Sequence, residues 1–297
     1  MTEDNLVVIK RHPFNAETPL SALKEALTPT EHFYVRSNFG VPALTPDDWR
    51  LRIDGAVDSP SELSLSELRS LPASTIPATL ECAGNNRTTL APLPKGEPWG
   101  AGAISTAEWR GVPLRNLLEP AGLRSTSVEL MFEGADRGTM ESSPEPLPFA
   151  RSLPLDKALH PDTLLAYEMN GEPLPPEHGG PVRLLVPGWY GMASVKWLVH
   201  IAALEQPFTG FFQAQRYIID VDSRPTKEPL QEMYVKSIIT SPLTGDILMP
   251  GQHTITGVAW SGFGAIKSVE LSTEGGGAWQ PARLVDEPSP YTWQQWE

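Results

Sequence analysis

Leu80-Glu81-Cys82-Ala83-Gly84-Asn85-Asn86-Arg87 contains the only cysteine among 297 residues. Its thiol is flanked by a small residue, a glycine, two amides and a cation. A thiolate is both nucleophile and metal ligand, and a nearby guanidinium lowers its pKa, so a thiol in this setting can be deprotonated near neutral pH. Soft sulfur selects soft or redox-active metals. The competing reading is a buried thiol that only packs, the ordinary fate of a free cysteine. A lone cysteine excludes an internal disulfide framework. No Cys-x-x-Cys, Cys-x-x-Cys-His or His-Glu-x-x-His spacing occurs, so neither a zinc ribbon, nor covalent c-type haem, nor a zinc-protease helix is indicated.

Around this stretch lie, in order, Phe33-Tyr34-Val35-Arg36, Gly102-Ala103-Ile104-Ser105-Thr106-Ala107, Phe132-Glu133-Gly134-Ala135-Asp136, Leu164-Leu165-Ala166-Tyr167-Glu168-Met169-Asn170-Gly171, His178-Gly179-Gly180-Pro181-Val182-Arg183 and Val195-Lys196-Trp197-Leu198. With the cysteine block, these strings resemble the sulfite oxidase family. In that family a Cys-Ala-Gly-Asn segment followed by arginine supplies the one protein ligand to a molybdopterin-bound molybdenum. The resemblance extends from about Phe33 to about Trp279. It implies a molybdopterin-binding catalytic domain over residues 1–225 and a C-terminal domain of the dimerisation type over 226–297.

Composition is compatible with that implication. The 31 prolines and 24 glycines leave little room for long helices, which predicts an α+β fold of mixed sheets joined by short helices. A chain of this length exceeds one ordinary core, so two domains are expected. The net charge of −13 argues against a nucleic-acid partner. It still permits a local cationic pocket, which Arg36, Arg87, Arg183 and Lys196 could form. No apolar run approaches the ~20 residues of a membrane span. The first residues, Met1-Thr2-Glu3-Asp4-Asn5, lack a basic region, an apolar region and a twin arginine, so a cytoplasmic or already processed protein is expected.

Local patterns place the motifs. Trp49, Leu51 and Ile53 alternate with polar residues, reading as a half-buried strand closed by Gly55. Ser64-Leu65-Ser66-Glu67 has capping-box spacing and opens a helix that Pro72 ends. Pro113 is expected to begin a helix through Leu114, Leu117 and Leu118 that Pro120 stops. Asn170-Gly171 fits a type I′ hairpin. A strand over 182–186 and another over Val195-Lys196-Trp197-Leu198-Val199 should flank a loop well placed to hold a ligand. The chain turns polar between Asp220 and Pro229, which predicts the domain boundary. Beyond it, short strands between glycine-rich turns match an immunoglobulin-like β-sandwich. That sandwich usually takes ~100 residues, more than follow the boundary, so it is expected to be incomplete. The missing part is where the family places another substrate arginine.

The resemblance also assigns roles. Cys82 would be the metal ligand; Tyr34, Val35, Arg36, Ser37, Asn38, Asp136, His178, Arg183, Ser194, Val195 and Lys196 would bind the cofactor. Arg183 and Lys196 suit its phosphate as a fork donor and a point charge. Asp136 suits the pterin's amino and imino donors. Arg36, Arg87, Trp99 and Tyr217 would form the pocket for a small oxyanion substrate. Read without the family, His178 is a loop histidine bonded to backbone, Arg183 a solvated strand residue, Asp136 a turn aspartate, and Trp99 and Tyr217 core aromatics.

Two positions depart from the family's animal members, which carry Arg-Asn-His where this chain has Arg36-Ser37-Asn38 and an arginine where it has Ala193. Both remove possible positive charge near the site. The reaction implied is oxygen-atom transfer, sulfite becoming sulfate, by a haem-free molybdenum-cofactor homodimer that passes electrons to a separate acceptor such as a cytochrome. A reductase of a sulfoxide, nitrate or another oxo-donor is the nearest alternative; a non-catalytic binding protein is a distant one. Asn86-Arg87-Thr88 also fits a glycosylation acceptor, discounted because it overlaps the proposed metal loop and no secretion signal is seen.

Overall fold

In the computed structural model, residues 5–140, 143–219 and 227–297 are described. The expected boundary between residues 225 and 226 and the first four residues of the N-terminal stretch lie outside them. The chain begins with β1 (Val7–Lys10) and β2 (Asn15–Glu17), followed by β3 (Arg50–Gly55), β4 (Ser61–Ser64), α1 (Leu65–Ser70), β5 (Ser74–Glu81) and β6 (Ile104–Pro113). Next come α2 (Arg115–Ala121), β7 (Glu129–Met140), β8 (Ser143–Pro154), α3 (Leu155–Ala158), β9 (Leu164–Met169), β10 (Glu172–Pro173), β11 (Arg183–Leu185) and β12 (Leu198–Leu204). A short pair, β13 (Ile218–Ile219) and β14 (Glu228–Pro229), precedes β15 (Lys236–Ser241), β16 (Thr256–Trp260), β17 (Glu270–Leu271), β18 (Gln280–Pro281) and β19 (Gln294–Trp296). Sheets carry the fold and the helices are short, as the proline and glycine spacing predicts.

Two five-stranded sheets form the catalytic part: β10-β9-β6-β5, with β11 also on β9, and β4-β3-β12-β7-β8. The C-terminal strands form the sheet β15-β16-β19 and the pair β17-β18, the immunoglobulin-like portion. One apolar core contains Leu51, Ile53, Val112, Phe132, Leu165 and Ile201, contributed by strands of both large sheets. A second packs Phe33, Leu80, Trp99 and Trp109 around Cys82. A third, with Leu23, Tyr190, Met233, Val258, Trp260 and Trp293, joins the C-terminal strands to the catalytic part.

Several local expectations hold. Trp49, Leu51 and Ile53 are buried on alternate positions beside and within β3, and Gly55 closes it at φ 85°. Ser64 and Glu67 form a reciprocal capping box at the start of α1. Asn170 and Gly171 take φ 52° and 80°, the two positive angles a type I′ turn needs between β9 and β10.

Others differ. Pro113 ends β6 instead of opening a helix, and α2 includes Pro120, stopping at Gly122 with φ 68°. A proline in the last turn forfeits only one backbone bond, so the left-handed glycine sets the end. The strand expected over Val195 to Val199 begins only at Leu198. The Trp197 N–H donates to the Gly179 carbonyl at 3.1 Å and its indole Nε1 to the Pro176 carbonyl at 2.8 Å, so Trp197 is tied to the 176–179 loop while the Val195 and Trp197 carbonyls accept single bonds from Leu184 and Ala135. Trp197 accordingly sits at φ 50°, an uncommon angle for a bulky side chain.

Candidate active site

Strand β5 ends at Glu81, and Cys82 begins a tight turn whose backbone is fully engaged. The Cys82 N–H donates to the Ala103 carbonyl at 2.9 Å, Asn85 N–H to the Cys82 carbonyl at 2.9 Å, and Arg87 N–H to the Gly84 carbonyl at 3.1 Å. Asn85 Oδ1 accepts the Ala103 N–H at 3.0 Å, and Asn86 takes the left-handed conformation at φ 66°. The thiol is 8% exposed and lines two adjoining cavities.

The first cavity runs from Cys82 past Tyr34, Arg36, Ser37 and Asn38 to Asp136, His178, Arg183, Ser194 and Lys196. Asp136 reaches it through a bulge: the β7–β8 register slips between Glu133 and Arg137, which re-aims the intervening residues. His178 closes a single 3-10 turn, with Nε2 3.3 Å from the Thr30 carbonyl and its ring edge-on to Phe33. Lys196 Nζ donates to Ser37 Oγ at 2.8 Å and to the Glu177 carbonyl at 2.9 Å, over the Trp197 ring. Arg183 donates to the His178 and Ser194 carbonyls at 2.8 and 2.9 Å and stacks on Trp109. The solvated-face reading of Arg183 is thus wrong, and its donor fork is largely committed to backbone. Val35 and Val195 do not line the cavity: Val35 pairs with Ala16 and packs in a small core with Leu6, and Val195 belongs to the main core.

The second cavity shares Arg36, Cys82, Ala83 and Tyr217 with the first and is further lined by Arg87, Lys95, Glu97, Trp99, Arg216 and Leu230, among others. Arg87 Nη1 donates to the Glu97 carbonyl at 2.8 Å, its guanidinium lying against Gly84 and Gly96. A Cβ on Gly84 would come within 2.8 Å of Arg87 Nη2 and 2.9 Å of the Trp99 ring, so this glycine permits the close approach. Arg36 donates to Asn38 Oδ1 at 2.6 Å, to Asn15 Oδ1 at 3.3 Å and to the Ser37 carbonyl. Asn38 Nδ2 in turn lies 3.4 Å from the Tyr217 hydroxyl.

Burial pushes the Cys82 thiol above its ordinary pKa, although Arg36, the Gly84 N–H and Arg87 pull the other way. Desolvation thus outweighs the guanidinium fields that favour the thiolate. Metal binding reverses that balance by displacing the proton. Burial and Arg183 hold Lys196 down, opposed by Asp136, while burial raises Asp136 against Lys196. Burial, then Lys196 and Arg183, lowers His178 to about 3.

The donor set fits the group the sequence implies. No cluster of three or more His, Cys, Asp or Glu side chains among the described residues could hold a metal alone, so a metal at Cys82 would need ligands from a separate molecule. Arg36, Arg183 and Lys196 outnumber the two carboxylates, Asp136 and Glu177, that line the first cavity with them, an excess of positive charge suited to an anionic organic cofactor. Sequence reasoning did not single out Phe33, Glu177, Met192, Lys95 or Arg216 as lining residues. Phe33 stands in a quoted family block without a role assigned to it, and only the fold brings the others here.

Known proteins agree with this geometry. The family model described as oxidoreductase molybdopterin binding domain matches residues 38–212, and that described as Mo-co oxidoreductase dimerisation domain matches 227–297. The chain belongs to the sulfite oxidase family. Sulfite oxidase of Gallus gallus is 41% identical over 98% of this chain and 67% of its own length. The NADH nitrate reductase of Ulva prolifera is 34% identical over 97% of this chain, which spans 37% of that longer protein. The sulfane dehydrogenase SoxCD of Paracoccus pantotrophus superposes with a TM-score of 0.85 at 33% identity, covering 97% of this chain and 72% of that one. Sulfite oxidase family members are molybdenum-dependent oxidoreductases, and the first cavity is the place in this chain with the charge and donors for their cofactor.

Proposed function

We propose that this chain oxidises sulfite to sulfate at a molybdenum-molybdopterin cofactor, working as a haem-free cytoplasmic homodimer that passes electrons to a separate acceptor such as a cytochrome. The observation that supports this reading is that the one thiol lines two cavities, a donor-lined cleft and an arginine-lined chamber. The cofactor, when bound, supplies the oxygen-atom transfer and redox chemistry. Cys82 gives up its proton on binding metal and serves as the single protein ligand. Asp136 accepts from the pterin edge; Ser37, His178 and Lys196 hold the remainder of the cleft. Arg36 and Arg87 bind and orient the oxyanion by charge-assisted hydrogen bonds. Trp99 and Tyr217 exclude water, which strengthens those contacts.

Molybdenum per chain, measured by plasma mass spectrometry on protein from a host that makes molybdopterin, should be near stoichiometric in the wild type and lost in Cys82→Ser. The loaded wild type should reduce ferricyanide or cytochrome c in a sulfite-dependent manner. A fully loaded protein inert to sulfite with every one-electron acceptor would sink the reading.

A reductase on the same scaffold is the second reading. It is favoured by Asn38 at the Tyr217 hydroxyl and by Ala193 buried in the main core, neither of which adds charge beside the oxyanion chamber. Reoxidation of the chemically reduced enzyme by nitrate or a sulfoxide, without reduction by sulfite, would decide for it.

A further inference from the structure

Arg151 on β8 is 1% exposed, yet among the described residues no carboxylate pairs with it. A buried guanidinium without an anion costs several kcal/mol unless its surroundings compensate. Here the compensation is partial: Nη1 donates to the Phe212 carbonyl, Nη2 to the Leu230 carbonyl at 3.0 Å, and Nε is buried with no partner. The guanidinium carbon lies 5.9 Å from the centre of the Tyr217 ring. Tyr217 and Leu230 are both walls of the oxyanion chamber, and the Leu230 N–H donates to the Tyr217 carbonyl at 2.9 Å. Phe212 begins a π-helical turn, Phe212–Arg216, that delivers Tyr217 to the chamber. Such a turn frequently marks a functional site, and it leaves carbonyls in need of donors. A neutral amide could have served those carbonyls. A guanidinium adds a charge immediately behind the wall.

We propose that Arg151 is a positioning residue for the oxyanion chamber, clamping Tyr217 and Leu230 as one wall and setting behind it a buried positive charge, without a carboxylate partner among the described residues, that raises affinity for an anionic substrate or product. This rests on the reading of the second cavity as the oxyanion chamber. Arg36 and Arg87 meet the anion from the front; Arg151 acts on it through the Tyr217 ring, where a cation and a low dielectric are felt strongly.

The test uses molybdenum-loaded enzyme and three variants: Arg151→Met, Arg151→Lys, and Arg110→Met, the last removing a surface cation that pairs with Glu168 at 3.5 Å. A charge at this range in a partly screened interior is worth about tenfold in anion affinity. Arg151→Met should therefore raise KM for sulfite about tenfold, with kcat within about twofold, and weaken sulfate binding by calorimetry by the same factor. Arg151→Lys should restore most of both, and Arg110→Met should change neither. Unchanged KM and sulfate affinity in Arg151→Met overturn the proposal. So does an equal fall of kcat in both Arg151 variants with sulfate affinity intact, which is the mark of a structural role alone. If the wild type binds sulfate but does not oxidise sulfite, the reading of the reaction fails while the calorimetric comparison still decides for or against Arg151. A wild type that binds no oxyanion overturns both.

Discussion

Gly96 lies at φ 122°, and a Cβ there would overlap the Arg87 guanidinium. Gly171 also has a positive φ, 80°, but nothing within 4 Å. Alanine at either position should cost about 1 kcal/mol of backbone strain. Only Gly96→Ala should also raise KM for sulfite, several-fold, because only there must a substrate arginine move; steady-state kinetics beside thermal unfolding of both variants checks this. His178 offers a second test. Burial, followed by Lys196 and Arg183, lowers its pKa from 6.5 to about 3, so the ring folds neutral. Its contribution to stability is fully present above pH 6.5 and is lost as pH falls toward 3, because the unfolded chain takes up a proton that the folded chain refuses. The loss approaches about 1.4 kcal/mol per pH unit. In cofactor-free protein, His178→Gln should flatten the acid side of the stability profile in that window; an unaltered profile would assign the acid loss to other groups. At this scale the sequence showed which residue types matter, and its family spacing brought them together. It did not show the burial of the Cys82 thiol or the backbone partners of Arg183, because a thiol's desolvation and a guanidinium's acceptors depend on neighbours far away in the chain.

Strand β7 illustrates what an element does that its pattern does not announce. Phe132-Glu133-Gly134-Ala135-Asp136 lies in β7, whose pairing slips on both neighbours, opposite β8 between Glu133 and Arg137 and opposite β12 between Leu198 and His200. The two irregularities place Asp136 and Lys196 on the same cleft. Gly134 makes this possible: a Cβ there would lie 2.6 Å from Asp136 Oδ1 and 2.6 Å from the Lys196 carbonyl. Gly134→Ala should therefore lower molybdenum content of the purified protein by well over half while leaving the Cys82 turn intact, as metal analysis beside far-ultraviolet circular dichroism would show. Full occupancy would mean that the bulge tolerates the methyl group. Elements with local causes were legible, among them the capping box at Ser64, the Asn170-Gly171 turn and the alternation around Leu51. The late start of β12 was not, because Trp197 is held by the Pro176 and Gly179 carbonyls, partners that no window of sequence contains.

Across the whole molecule, the metal turn is braced by the C-terminal strands. Glu81, the neighbour of Cys82, is buried, and it accepts from Lys236 Nζ at 2.7 Å and Trp260 Nε1 at 2.9 Å, both on C-terminal strands, and from Asn85 Nδ2 at 3.2 Å in its own turn. Removing one partner of a buried pair leaves the other uncompensated, so Lys236→Met should destabilise by about 2 kcal/mol or more. It should also loosen the Cys82 turn and reduce molybdenum retention, and Glu81→Gln added to Lys236→Met should recover part of the stability. Chemical denaturation and metal analysis of the single and double variants would check this; a single variant as stable and as fully loaded as the wild type would remove the brace. The sequence by itself determined the α+β class, the family and the one thiol, because these rest on residue types, short-range spacing and the order of motifs. Only the tertiary structure decided that the thiol lines two cavities, that Val35 and Val195 belong to the cores, and that Arg151 packs against the Tyr217 ring with no carboxylate partner among the described residues. Those facts depend on which side chains meet across sheets and between the chain's two parts, where burial sets the strength of every charge and hydrogen bond.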